Sequence, residues 1–311
     1  MARIMTIGEI LVEIMATVRG QSLRAPGTLA GPFPSGAPAI FIDQVGRLGR
    51  SAGIIGCVGD DDFGWLNIER LRRDGVDTSA ITMLADAVTG SAFVTYTETG
   101  GRHFIFNIAN SASGRLSASS ITETVLADCT WFHVMGSSLF SPGITAAVCK
   151  AIGMVKRRGG VISFDPNIRP EILRSAGMRD GLRSILEQTD VFLPSGDEVA
   201  LLVDAQTEAE AIEPLLELGI REIVVKHGSS GCTYYDRSCR LDVPAFSVRE
   251  VDPTGAGDCF CATYVACREE GKAIDLSLRY ACASGAIAVT RKGPMEGTAS
   301  FAELDTLIGY L

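Results

Sequence analysis

No stretch of this sequence stays apolar for the ~18 consecutive residues a membrane helix requires, and no run of basic residues interrupts it. Lysine and arginine number 28 against 37 aspartate and glutamate, a formal charge of −9. Nucleic acid and anionic membrane surfaces are therefore poor partners. The nine cysteines contain no CxxC pair, and Cys259 and Cys261 stand one residue apart. An odd count in scattered apolar settings argues against a disulfide framework or a zinc site, and fits reduced, buried thiols in a cytoplasmic protein. The three histidines (103, 133, 227) are too dispersed for a metal site, and His133, inside an apolar run, reads as a core residue. There is no G-x-x-x-x-G-K-[ST] and no G-x-S-x-G, which excludes a Walker P-loop and leaves nucleophilic hydrolysis unsupported. Met1-Ala2-Arg3-Ile4-Met5-Thr6-Ile7-Gly8 reads as a first strand rather than a signal peptide.

What is present is an ordinary globular composition: 311 residues, 46% apolar, with 34 glycines. That length suits one α/β domain. Short apolar runs, Ile4–Val12, Gly53–Val58, Trp131–Met135, Val161–Asp165, Val191–Leu193 and Ile223–Lys226, alternate with helical stretches. The helical stretches are Ala39–Leu48, Leu66–Arg73, Ile144–Arg158, Asp180–Glu187 and Glu208–Leu218. Such alternation predicts βαβ units and a mostly parallel sheet with helices on both faces. Two segments break it. Thr89–Tyr96 and Arg102–Ile108 flank a Gly-Gly turn and predict a hairpin, while Thr17–Pro34 is irregular and rich in Gly and Pro. Together they predict a small sheet, spanning about 13–35 and 88–110, set off from the core as a lid or a dimer arm. The chain closes with helices predicted over Gly255–Glu269, Leu276–Val289 and Phe301–Leu311.

The most informative stretch is Val251-Asp252-Pro253-Thr254-Gly255-Ala256-Gly257-Asp258. Pro253 ends an extended segment, three residues with little or no side chain follow, and a helix begins. A bare helix start offers unpaired N–H groups and the positive end of the dipole, a cradle for an anion. Asp258 falls in the first turn, where its negative charge is favoured. The plain alternative is a Gly-rich turn that Asp258 caps. An anion cradle beside a carboxylate fits attack of a hydroxyl on a phosphoryl group, with amides of Gly255, Ala256 and Gly257 on the equatorial oxygens and Asp258 taking the proton.

That stretch resembles the C-terminal signature of the ribokinase-like (PfkB) carbohydrate kinases. Thr6-Ile7-Gly8-Glu9-Ile10-Leu11-Val12-Glu13 resembles the family's first strand, and Val58-Gly59-Asp60-Asp61-Asp62-Phe63-Gly64 and Asp74-Gly75-Val76-Asp77-Thr78 its next signatures. Phe164-Asp165-Pro166-Asn167-Ile168-Arg169 is similar to the fructokinase and 2-keto-3-deoxygluconate kinase branches. Val224-Val225-Lys226-His227-Gly228-Ser229-Ser230-Gly231 resembles the nucleotide loop, and Ala286–Gly293 the closing helix and loop. The resemblance covers residues 4–310 and implies a ribokinase-like α/β fold with a β lid, ATP and Mg²⁺, and a small sugar.

It further implies that Glu13, Gly36, Arg169 and Asp258 contact sugar, and that Ser195, Lys226, Gly228, Ser229, Gly231, Gly257 and Cys282 contact ATP. Two of these have a plainer alternative: Arg169 as a surface loop arginine, and Lys226 to Gly231 as a tight hairpin turn. Asn167 and Glu198 hold Mg²⁺ through water, or are loop and cap residues. Asp252 and Thr254, with the carbonyls of Ala288, Arg291 and Gly293, form the K⁺ site of potassium-stimulated members, or Asp252 only braces the loop. A homodimer through lid strands follows by analogy. Three departures stand out: Ser35-Gly36-Ala37-Pro38-Ala39-Ile40 replaces paired glycines and an Asn, Ser195 replaces an adenine-side Asn, and Thr263 replaces a small residue. Where the family's sugar-acid kinases carry a Tyr-x-Arg grip, this chain has Phe106-Asn107-Ile108. A buried carboxylate needs a cation or several donors, and Ile108 offers none and Asn107 only an amide, so the expected substrate is a neutral ketohexose, tagatose or fructose, ahead of 2-keto-3-deoxygluconate. Arg102, earlier in the same strand, is the one residue there able to reverse that order. Outside the enzyme class, a sugar or nucleotide sensor on the same fold is the rival.

Overall fold

In the computed structural model, residues 2–98, 101–168, 178–203 and 205–309 are described. The first six strands are β1 (Ile4–Ile7), β2 (Leu11–Ala16), β3 (Leu29–Ser35), β4 (Ala52–Gly59), β5 (Val76–Asp77) and β6 (Ile81–Leu84). A hairpin follows, β7 (Gly90–Tyr96) and β8 (Arg102–Asn107), and then β9 (Trp131–Met135), β10 (Val161–Asp165) and β11 (Val191–Phe192). The last strands are β12 (Glu222–Lys226), β13 (Cys232–Tyr235) and β14 (Arg240–Val243). Helices α1 (Ala37–Arg47), α2 (Asp62–Arg73), α3 (Pro142–Arg157) and α4 (Met178–Leu186) interleave with them. So do α5 (Gly196–Leu201), α6 (Glu208–Glu217), α7 (Ala256–Glu269), α8 (Ile274–Ala288) and α9 (Phe301–Ile308).

The large sheet runs β14-β13-β12-β11-β10-β9-β1-β4-β5, with β6 also on β4. Its pairs are parallel except β12–β13 and β13–β14. Continuous apolar strands make sense here because each feeds two cores. Ile54 and Val224 point into the core packed by α1, α7, α8 and α9, whereas Ile55, Ile223 and Val225 point into that packed by α3, α4 and α6. Among the described residues no helix is long and apolar enough to cross a membrane.

The expected single strand Ile4–Val12 is two strands in two sheets. The chain leaves the large sheet at Gly8, where a Cβ would lie 2.2 Å from Ser138 Oγ, and β2 joins a second sheet ordered β3-β2-β7-β8. The stretch expected to be irregular, Thr17–Pro34, supplies most of β3, which pairs antiparallel with β2. The predicted hairpin is β7–β8. The tight turn after Lys226 is also observed, with residues 228–230 joining β12 to β13.

His133 is a core residue with a measurable consequence. Its Nδ1 lies 2.8 Å from Ser163 Oγ, and its ring stacks on Phe41 at 3.9 Å. Burial, with the nearby Lys226 charge, holds the imidazole well below its ordinary range. The folded protein therefore binds fewer protons there than the unfolded chain, so stability is complete above the unfolded pKa and falls as pH drops below ~6.5. Urea unfolding at pH 5.5 and 7.5 checks this: His133→Gln should lose about 1 kcal/mol less than wild type over that interval. Equal losses would remove His133 from the acid sensitivity.

Candidate active site

The C-terminal ends of the parallel strands open onto a cavity of about 210 Å³, where α/β sheets gather ligands. One wall is the start of α7. Gly255 precedes it in the left-handed region, φ 82°, and a Cβ there would stand 2.3 Å from the Pro294 carbonyl oxygen. Its bareness serves the turn and the close approach of the 291–298 loop. Gly257 is the open position: the nearest atom to a Cβ would be Lys226 Nζ, at 3.8 Å. Ala256 does not line the cavity, and its amide faces the Pro253 carbonyl at 3.5 Å.

Asp258 is buried in the first turn of α7 and lines the cavity. Asn167 Nδ2 lies 3.4 Å from its Oδ1. Asn167 itself is held at a left-handed φ of 40°, its amide donating to Asp165 Oδ1 at 3.1 Å. The end of β10 therefore sets the neighbour of Asp258. Glu198 spends both oxygens on backbone amides, those of Ile168 at 2.6 Å and Ser195 at 2.7 Å. Burial first, and then the Asp165 charge, raise its pKa. Among the described residues no cluster of three His, Cys, Asp or Glu side chains could hold a metal. The donors present suit a Mg²⁺ carried on phosphates and touched through water.

At the other end, Glu13 Oε1 accepts from Ser35 Oγ at 2.7 Å. Gly36, at φ 110°, passes so close to Glu9 that a Cβ would sit 2.3 Å from its carbonyl oxygen. Glu9 also lines the cavity, and its carboxylate accepts from the Ser137 and Ser138 hydroxyls at 3.2 and 2.5 Å. Sequence reasoning passed over it, although an acid directly after a strand-ending Gly was a visible signal. Arg102 reaches in from β8, its Nη1 donating to Thr254 Oγ1 at 3.1 Å.

Asp252, 1% exposed, ties two loops together. One oxygen accepts from the Thr254 amide and hydroxyl, at 3.1 and 2.7 Å, and the other from the Gly293 amide at 3.1 Å. That is the bracing role. The Ala288 carbonyl faces the Arg291 amide at 3.4 Å. Ser195 and Lys226 line the cavity, whereas Gly228, Ser229, Gly231 and Cys282 do not. Gly231 is pinned under the Val243 carbonyl, 2.0 Å from where a Cβ would be, and buried Cys282 faces Cys232 with 3.7 Å between sulfurs. Arg169 lies outside the described residues.

A mostly parallel sheet with a small second sheet over its C-terminal edge, and a carboxylate at a Gly-rich helix start, define a phosphotransferase of the ribokinase fold. The profile of the pfkB family carbohydrate kinases matches residues 1–300, and the chain belongs to that family; it is a sugar kinase. It is 33% identical to Fructokinase-1 of Zea mays, over 98% of this chain and 97% of that protein. A structure from E. coli provisionally described as ribokinase II is 54% identical and superposes with a TM-score of 0.96 over all of both chains. The E. coli protein is known without ligand and in complex with ATP and Mg²⁺. A Xylella fastidiosa fructokinase with bound ATP is 25% identical, with a TM-score of 0.87 over 100% of this chain and 99% of that one.

Proposed function

We propose that this kinase transfers the γ-phosphoryl group of ATP to a primary hydroxyl of a ketohexose, fructose or tagatose. The observation that carries it is the placement of Asp258, buried at the start of α7 and lining the cavity beside Gly257. Asp258 takes the hydroxyl proton as that oxygen bonds to the γ-phosphorus, and the bond to ADP breaks. Amides opening α7 hold the phosphoryl oxygens. Glu13 and Gly36, with Arg169, orient the sugar, while Ser195, Lys226, Gly228, Ser229, Gly231 and Cys282 serve the nucleotide. When bound, Mg²⁺ neutralises the phosphates, and Asn167 and Glu198 meet its water shell. Potassium beside Asp252, Thr254 and the carbonyls of Ala288, Arg291 and Gly293 is a further element of this reading. The Zea mays and Xylella relatives, both fructokinases by name, support the substrate class.

Phe106 and Ile108 line the cavity where a sugar acid would need donors, which favours a neutral sugar. The position of Arg102 favours a second reading, 2-keto-3-deoxygluconate. Comparing kcat/KM for fructose, tagatose and 2-keto-3-deoxygluconate decides, with at least ~10-fold preference expected for a ketohexose, about 1.4 kcal/mol in the barrier. A tenfold preference for the acid would reverse the order. A sensor would release no ADP with any sugar.

The small sheet acts as a lid and, in a homodimer, pairs with its copy. Sugar should then raise hydrogen-exchange protection in β7 and β8 at fixed protein concentration. Protection that changes only with protein concentration would leave a dimer arm and no lid.

A further inference from the structure

We infer that Lys226 is a catalytic residue whose ammonium bears on the transferring phosphoryl group, and that Asp165 is its positioning residue. The inference rests on the kinase reading above and goes further, since that reading gives Lys226 only a place in the nucleotide loop. Both residues end neighbouring parts of the sheet, Asp165 on β10 and Lys226 on β12, and both line the cavity. Lys226 Nζ stands 2.5 Å from Asp165 Oδ2 and 3.3 Å from Cys261 Sγ, with 9% of the residue exposed. At the helix start it is the nearest atom to where a Cβ on Gly257 would stand, at 3.8 Å, and Gly257 lines the cavity. An anion seated on the first amides of α7 would meet this ammonium on its flank.

The charge of the cavity favours a fixed cation beside the Mg²⁺ that accompanies the phosphates. Glu9, Glu13, Asp165, Glu198 and Asp258 line it, while Arg102 and Lys226 are its only cations among the described residues. Arg102, on the small sheet, donates one N–H to the Thr254 hydroxyl. MgATP still carries net negative charge, and a fixed positive charge beside it offsets repulsion by these carboxylates. Burial alone would lower the Lys226 pKa, yet the Asp165 carboxylate, with Cys261 and Glu198, outweighs burial and raises it, so the ammonium persists. A buried ion pair is weak evidence of a stabilising role. Buried ion pairs are often replaceable by apolar residues at no loss, whereas a preorganised cation at developing phosphoryl charge lowers the barrier.

The same Asp165 carboxylate receives the Asn167 amide on its other oxygen, and Asn167 neighbours Asp258. One side chain thus fixes the cation and the partner of the general base together. A contact to the γ-phosphoryl group predicts discrimination between triphosphate and diphosphate, which a contact to base or ribose does not.

The test compares wild type, Lys226→Met and Lys226→Arg for binding of ADP and of a β,γ-imido ATP analogue, each with Mg²⁺, and for sugar turnover. Lys226→Met should bind ADP as wild type does, yet lose ~10-fold or more in its preference for the analogue over ADP. Its kcat should fall ~10²–10³-fold with the sugar KM little changed, and Lys226→Arg should recover part of that loss. Equal weakening of ADP and analogue, or a kcat within about threefold of wild type, would overturn the inference. Should Lys226→Met fail to fold, Asp165→Asn gives the same readout: the preference for the analogue must drop with ADP binding retained, and wild-type values there also overturn it. A wild type that phosphorylates sugar beside an unaffected variant sinks only the role of Lys226. A wild type releasing no ADP with any sugar sinks the kinase reading, and the binding comparison still judges Lys226.

Discussion

Asp258→Asn should fold, bind MgATP and turn over ~10²–10⁴-fold more slowly than wild type, the range for removal of a general base. Asparagine keeps the shape of the side chain and its place at the start of α7. It can still meet Asn167, whose Nδ2 lies 3.4 Å from Oδ1, once the new amide presents its oxygen there. What it cannot do is accept the proton of the attacking hydroxyl. The loss should fall on kcat, with nucleotide affinity intact, because the carboxylate acts as the hydroxyl loses its proton. Steady-state kinetics with titration of an ATP analogue separates the two. Turnover within a few-fold of wild type would remove Asp258 from the chemistry.

The second large effect divides two glycines of one turn. Gly255→Val places a β-branched residue at φ 82° with a Cβ 2.3 Å from the Pro294 carbonyl oxygen. Left-handed strain and overpacking should together cost about 2–5 kcal/mol, read as a lower melting temperature and loss of activity. Gly257→Val meets nothing closer than Lys226 Nζ at 3.8 Å, so the fold should tolerate it. The new side chain then occupies the ground a phosphoryl group needs, and binding of the ATP analogue should weaken ~10-fold or more while the melting temperature stays near wild type. An unchanged melting temperature in Gly255→Val would contradict the packing described. Normal nucleotide binding in Gly257→Val would put the anion elsewhere.

Much of this molecule was legible from local pattern. Apolar runs separated by helical periods gave the parallel sheet, since a strand covered on both faces has no reason to alternate. Asp252–Asp258 announced a helix start, because Pro253 ends an extended segment and a helical period follows the small residues. Local pattern does not say which distant side chains meet. Gly8 looked like the middle of one strand, but Ser138 and Pro38 pack where its side chain would be, at the point where the chain passes into a second sheet. Gly255 and Gly257 look alike in the sequence, and the Pro294 carbonyl alone separates their roles. Lys226 reaches Asp165 across 61 residues, and Arg102 reaches Thr254 across 152. Torsional preference and periodicity act over a few residues, whereas a charge finds its partner only when the folded chain brings the two within hydrogen-bond distance.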